Sequence, residues 1–233
     1  MLMKKIGALI STIFAFILVL FFCANPTKAD VDYNISNLKI TAQVNTDGSL
    51  TMKRQVSYDF DSSAHGVYYR QNLAKNQDLV EPSVSIKTNN GPQVKIKQDS
   101  GSNNSYQLSH DNNGYRFKVY HKIAADDRLI VTYQYRITNA IINWQDTAEL
   151  NFKIIGNNWD SDLEHVEAIV NFANGTPIPD LKAWAHGPLT GNIKVNHKLG
   201  QVILTQNDLA GDVGIELHAI FPNSLTVQNK NTR

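Results

Sequence analysis

From residue 30 onward, apolar side chains fall on every second position. In Leu38-Lys39-Ile40-Thr41-Ala42-Gln43-Val44 the odd residues out are polar, and after Asn45-Thr46-Asp47-Gly48 the alternation resumes with Leu50, Met52, Val56, Tyr58 and Phe60. A period of two is the signature of a strand with one buried face. Asp-Gly supplies the positive-φ positions of a tight reversal, so residues 38–60 read as a hairpin. Between Ser83 and His121 come four more short alternating runs, separated by clusters of Asn, Gly, Ser and Pro. Leu129 to Ile137 form the longest run, Val166 to Phe172 another, and Val195 to Phe221 hold the last. No stretch after residue 30 shows a sustained 3.6-residue apolar period; only Asp160 to His165, with Asp160 placed as a cap, suggests a short helix. Many short strands with frequent turns predict an all-β, antiparallel β-sandwich (Ig-like), with a lobe boundary near Asn139.

The N-terminus has a different pattern. MLMKK is followed by an uncharged run from Ile6 to Ala24 and then by Asn25-Pro26-Thr27-Lys28-Ala29. A basic start, an apolar run and a small-residue site describe a secretory signal peptide over residues 1–29. The length of the apolar run leaves an uncleaved membrane anchor as the competing reading, and either one exports the rest. Cys23, the one cysteine, lies in this run behind Phe21 and Phe22, which is poor context for lipidation. The domain over residues 30–222 then has no thiol, so disulfides, thiolate ligands and a cysteine nucleophile are excluded from it. Residues 223–233 are polar and predict a flexible tail.

Of 22 basic residues three, Lys4, Lys5 and Lys28, precede Asp30, which leaves 19 against 21 acidic ones. That balance, without a basic run, argues against nucleic acid or anionic lipid as the main partner. The seven histidines are scattered without metal-binding spacing, and Asp160-Ser161-Asp162 lacks the glycine and terminal glutamate of a calcium loop, so no cofactor or metal is expected. Asp59, Asp61 and Glu149 are the carboxylates from which a glycosidase pair could be drawn, but nothing sets their separation.

Four stretches taken in order resemble one family. DYNISNLKITAQVNTDGSLTMKRQVSYDFDSSAHGVYYRQNL, VTYQYRITNAIINWQDTAELNFKIIGNNWD, AWAHGPLTG and ELHAIFP are similar to successive landmarks of the domain-of-unknown-function 2207 family. The chain departs from that pattern at Arg54, where an acidic residue is usual, at Phe152-Lys153, and at Leu73-Ala74. The resemblance implies a cell-envelope domain that in relatives continues into membrane helices, and it implies no established activity. Whether this chain is a short form, a truncation or the partner of a separate membrane subunit stays open.

Within HGVYYR, residues 65–70, strand parity puts Val67 and Tyr69 on one face and Tyr68 and Arg70 on the other, with Gly66 at a turn or close approach. Arg70 reads first as a structural fork to a carboxylate or loop carbonyls, and second as an anion reader beside Tyr68. Arg54 falls among inward residues, so it requires either a bulge that turns it outward or a buried ion pair. Trp159, after Asn157 and Asn158, is either a plug at the core edge or a sugar-stacking ring, as are Trp144 and Trp184. The candidate surface-binding residues are therefore Tyr68, Arg70, Asn157, Trp159 and His186, with their three loops gathered at one end. The expected role is non-enzymatic: an extracytoplasmic, secreted or membrane-associated domain of a Gram-positive-like cell envelope acting in binding, assembly or sensing. Its expected partner is a membrane protein or the cell wall. The alternatives are a cell-wall carbohydrate-binding module, with Trp159 or Trp184 exposed in a groove, and an envelope hydrolase.

Overall fold

The computed structural model describes residues 32–99 and 101–233. The signal-peptide reading of residues 1–29, its anchor alternative and Cys23 lie outside the described residues. Strands β1 (Tyr33–Val44), β2 (Leu50–Phe60), β3 (Ala64–Asn72), β4 (Leu79–Thr88) and β5 (Val94–Gln98) open the domain. They are followed by β6 (Ser105–Asp111), β7 (Gly114–Ile123), β8 (Arg128–Ile137), β9 (Ile141–Asn143) and β10 (Thr147–Ile155). The last are β11 (Leu163–Asn171), β12 (Lys182–His186), β13 (Asn192–Asn196), β14 (Gln201–Leu209) and β15 (Ile215–Pro222), before a short 3₁₀ turn at Asn223–Thr226.

The fold is all-β, as the alternation demands. Eleven strands hydrogen-bond in the order β13-β14-β11-β1-β2-β8-β4-β5-β6-β7-β3, and four in the order β12-β15-β10-β9. The β1/β11 and β5/β6 pairs are parallel and the rest antiparallel. The long sheet turns over at β5 and β6, so β7 and β3 lie across the face of β8 and β2. Tyr69 of β3 meets Tyr133 of β8 at 4.9 Å between ring centroids, and Phe117 of β7 meets it at 5.2 Å. The four-stranded sheet covers the remainder, with Phe221 of β15 against Phe172, just after β11, at 4.9 Å. The result is a sandwich whose second layer is two short sheets side by side, larger than an immunoglobulin domain.

The inner face of β2 holds Leu50, Met52, Val56, Tyr58 and Phe60, all buried, and that of β8 holds Leu129, Val131, Tyr133, Tyr135 and Ile137. Each fully buried aliphatic or aromatic side chain contributes roughly 1.5–3 kcal/mol, so these two central strands carry much of the stability.

Three expectations are corrected. Asp160 to His165 is not helical: β11 starts at Leu163 and runs between β1 and β14, and pairing on both sides outweighs one local cap. No lobe division falls near Asn139, because residues 32–233 form a single unit. Asn139, at positive φ, is the reversal that takes the chain from β8 in one layer to β9 in the other. The tail after residue 222 is docked instead of frayed. Thr226 is fully buried, its hydroxyl donating to Asn143 Oδ1 at 2.7 Å. Asn229 and Asn231 each donate to the Ile141 carbonyl, at 3.1 and 2.9 Å, and Gln228 N reaches Thr46 O at 3.0 Å. The polar residues that predict fraying are the ones that satisfy the short β9 edge and the β1–β2 turn.

Candidate functional site

Strand β3 ends the sheet order, so one side of its backbone has no strand partner among the described residues. Gly66 sets how β3 lies on β7. It has φ +150° at a break in register, and a Cβ there would sit 1.9 Å from the Val119 carbonyl oxygen. This is the close approach that its place in HGVYYR suggests. Val67 and Tyr69 then point inward, while Tyr68, 44% exposed, and Arg70 point outward.

Between β3 and the loop that follows β10 lies a cleft of about 280 Å³. Tyr68, Tyr69 and Arg70 form one wall, Asn158, Trp159 and Asp160 another, and Tyr33 and Tyr58 lie beneath, with Arg116 at the mouth. Trp159 is half-buried, 5.7 Å from the Tyr69 ring, so it both closes the core edge and faces the cleft. The Trp159 amide donates to Gly211 O at 3.2 Å and Gly211 N donates to Asp162 Oδ1 at 3.0 Å, which pins the loop from both ends.

Arg54 lies inside the core, 1% exposed. Neither option from the sequence holds. The β1–β2 register passes through Ile40↔Arg54 without a bulge at Lys53, and no carboxylate pairs with the guanidinium among the described residues. Instead Nη2 donates to the Ile154 carbonyl at 2.9 Å and the guanidinium lies 4.9 Å from the Tyr69 ring centroid. Arg54 thus bridges β10 and β3, one strand from each short sheet of the second layer. Among the described residues its Nε and Nη1 lack a partner in good hydrogen-bonding geometry, although the Tyr135 side chain lies against the guanidinium, and the Tyr58 and Tyr133 hydroxyls face each other. Burial pushes the Tyr58, Tyr69 and Tyr133 phenols far above their ordinary range, so all three stay neutral beside the cation. Tyr69 and Tyr135 both donate to Gln71 Oε1 at 2.7 Å, which closes the rest of this network.

At the rim, Arg70 grips Asp111 with two bonds of 2.8 Å, the structural fork of the first reading. That pairing holds the Asp111 carboxyl down to about 2. Burial, followed by the Asp160 charge, raises Tyr33 to about 12. The outer face of β7 continues the site. Arg116 lies 4.1 Å from the Tyr68 ring centroid, and Lys118 Nζ lies 5.5 Å from Tyr68 and 4.7 Å from Tyr120. Neither cation has an ion-pair partner among the described residues, so Arg116, Tyr68, Lys118 and Tyr120 make a cationic and aromatic ladder beside the cleft.

Of the candidate residues, Tyr68, Arg70 and Trp159 share this cleft. Asn157 is exposed in the same loop without lining it, and His186 is on β12, opposite Glu216 in the four-stranded sheet. Arg116, Lys118 and Tyr120 are additions, although alternation in Gly114-Tyr115-Arg116-Phe117-Lys118-Val119-Tyr120 already puts them on one face. The carboxylates of the hydrolase reading do not face each other. Asp59 is held by Arg128 at 2.5 and 2.9 Å on the outer side of one layer, and Glu149 is on the outer side of the other. Among the described residues no three metal-ligating side chains cluster and no helix is long and apolar enough to cross a membrane.

A family model described as predicted membrane protein (DUF2207), N-terminal domain, matches residues 34–221. A comparison with curated proteins found no match. Among solved structures, a putative nutrient binding protein from Legionella pneumophila shares the fold, with TM-score 0.50 and 10% identity over 81% of this chain and 67% of that one. A putative protease from Parabacteroides distasonis aligns at TM-score 0.46 and 13% identity over 81% of this chain, which spans 40% of that protein's length. Native leukotriene A4 hydrolase from Saccharomyces cerevisiae aligns at TM-score 0.48 and 10% identity, covering 80% of this chain and 29% of its own.

Proposed function

This chain belongs to the family of predicted membrane proteins (DUF2207) as an N-terminal domain, and on that premise we propose that it is a non-enzymatic, extracytoplasmic domain that binds an anionic polymer of a Gram-positive-like cell envelope. The observation that carries the reading is the Arg116–Tyr68–Lys118–Tyr120 ladder: two cations stacked on tyrosines, without carboxylate partners, at the mouth of a cleft. Stacking holds the Arg116 guanidinium in place while leaving its N–H donors to a ligand, and the Tyr68 and Tyr120 side chains fix the Lys118 ammonium beside it. Arg54, behind Tyr69, adds a positive charge that no carboxylate among the described residues pairs with. The overall charge balance conceals this local segregation, because carboxylates such as Asp59 and Glu167 are paired elsewhere, with Arg128 and Lys39. Phosphodiester wall polymers have the repeating anionic groups that such a row would read.

The test is cosedimentation of the full chain with isolated cell walls, before and after acid stripping of their phosphodiester polymers. Intact walls retain the protein. Stripped walls, or the double variant Arg116→Glu, Lys118→Glu, lower retention on the order of tenfold, and added salt does the same. Retention on stripped walls, or of the double variant on intact walls, equal to that of the parent protein on intact walls would refute the assignment.

A further inference from the structure

The outer face of the four-stranded sheet carries a second constellation. Register places Trp184 of β12 beside His218 of β15, and His218 beside Asn151 of β10. The Trp184 ring lies 5.4 Å from the His218 ring, His218 Nε2 lies 3.0 Å from Glu149 Oε1, and the Trp144 indole donates to Glu149 Oε2 at 2.7 Å. The row Trp184–His218–Glu149–Trp144 therefore crosses the whole sheet, a width of roughly 10–14 Å at ~4.8 Å per strand. Both indoles are substantially exposed, at 45% and 38%, and both are held by the polar pair between them.

From this arrangement we infer that the face is a binding platform for a neutral glycan chain. Two exposed aromatic rings at opposite edges of one sheet face match the apolar faces of sugar rings, and polar groups between them match the hydroxyls along the edges. A carboxylate has about four acceptor sites, and Glu149 uses one to hold Trp144 and sets another toward His218, which leaves acceptors for ligand hydroxyls. Asn151, exposed next to His218, adds a donor and an acceptor. The charge on this face is balanced, with Lys153 and Lys182 against Glu149 and Glu216, so it selects an uncharged partner and not a polyanion. His186, two residues from Trp184 and on the same side of β12, lies at the platform's rim. This site is separate from the cleft and does not depend on its ligand.

The experiment is titration of the full chain with cellohexaose and with chitohexaose, both neutral, read by calorimetry and by tryptophan fluorescence. At least one saccharide binds, with a fluorescence change that Trp184→Ala and Trp144→Ala each reduce, and each of these variants weakens affinity at least tenfold. Trp184→Phe, which keeps an aromatic ring, weakens it less, so a fold defect is distinguished from loss of the stacking surface. A flat titration with both saccharides, as expected of a face that docks another protein, overturns the inference. Unchanged affinity in both alanine variants overturns it too.

Discussion

Replacing Arg54 with methionine should make the protein more stable. The substitution keeps a long unbranched side chain but removes a buried cation, which costs several kcal/mol without a carboxylate partner. The cost of its two unpaired donors, Nε and Nη1, is part of that penalty and is not added to it. Against this, the variant loses the 2.9 Å charged bond to Ile154 O, about 1.5–3 kcal/mol, and the contact with Tyr69, about 2 kcal/mol when desolvated. Buried charged groups replaced by apolar side chains of similar volume are typically neutral to about 4 kcal/mol more stable, and the balance here favours methionine by about 1–3 kcal/mol, or roughly 2–12 °C in Tm for a domain of this size. Urea unfolding followed by tryptophan fluorescence measures it, and Arg54→Ala supplies the control, because truncation opens a void and lowers stability. An Arg54→Met variant less stable than the parent by 1 kcal/mol or more would refute the reasoning and show that the guanidinium is better compensated than its partners indicate.

Two further outcomes follow from the same geometry. Gly66→Ala brings a Cβ against the Val119 carbonyl and should destabilise by about 2–4 kcal/mol, with amide exchange accelerated first in β3 and β7. Arg70 depresses the Asp111 carboxyl to about 2, so the stability gained from that pair is complete above the ordinary Asp range near pH 4 and is lost as pH falls through about 2. Carbon-detected NMR titration of Asp111 checks this, and an Arg70→Gln variant should raise its midpoint toward the ordinary range, the Asn113 amide bond to Oδ1 keeping part of the depression.

Strand identity was legible because each strand's alternation is local: β2, β7, β8, β11 and β15 can all be read from parity. Strand order was not, since β11 inserts beside β1 across more than a hundred residues, and only tertiary contact sets a parallel pair of that span. The same division runs through the sites. Parity puts Arg54 inward and Tyr68 and Arg70 outward, but it carries no information on whether a carboxylate waits across the core. Nor could it show that Trp144 and Trp184, forty residues apart, share one face through β10 and β15. Asp160 to His165 misled because a capping residue is a local signal, whereas pairing on both sides of β11 is a property of the assembled sheet.

The docked tail has a mechanical consequence. Its attachments run in series along one short segment: Thr226 and Arg233 bond to Asn143, Gln228 to Thr46, and Asn229 and Asn231 to the Ile141 carbonyl. A pull on the C-terminal end loads these bonds one after another, from Arg233 inward, before it reaches the long ladder between β10 and β15. The segment would peel at low force and lengthen while the sandwich kept its shape, so tension applied there would release the β1–β2 turn long before it threatened the core.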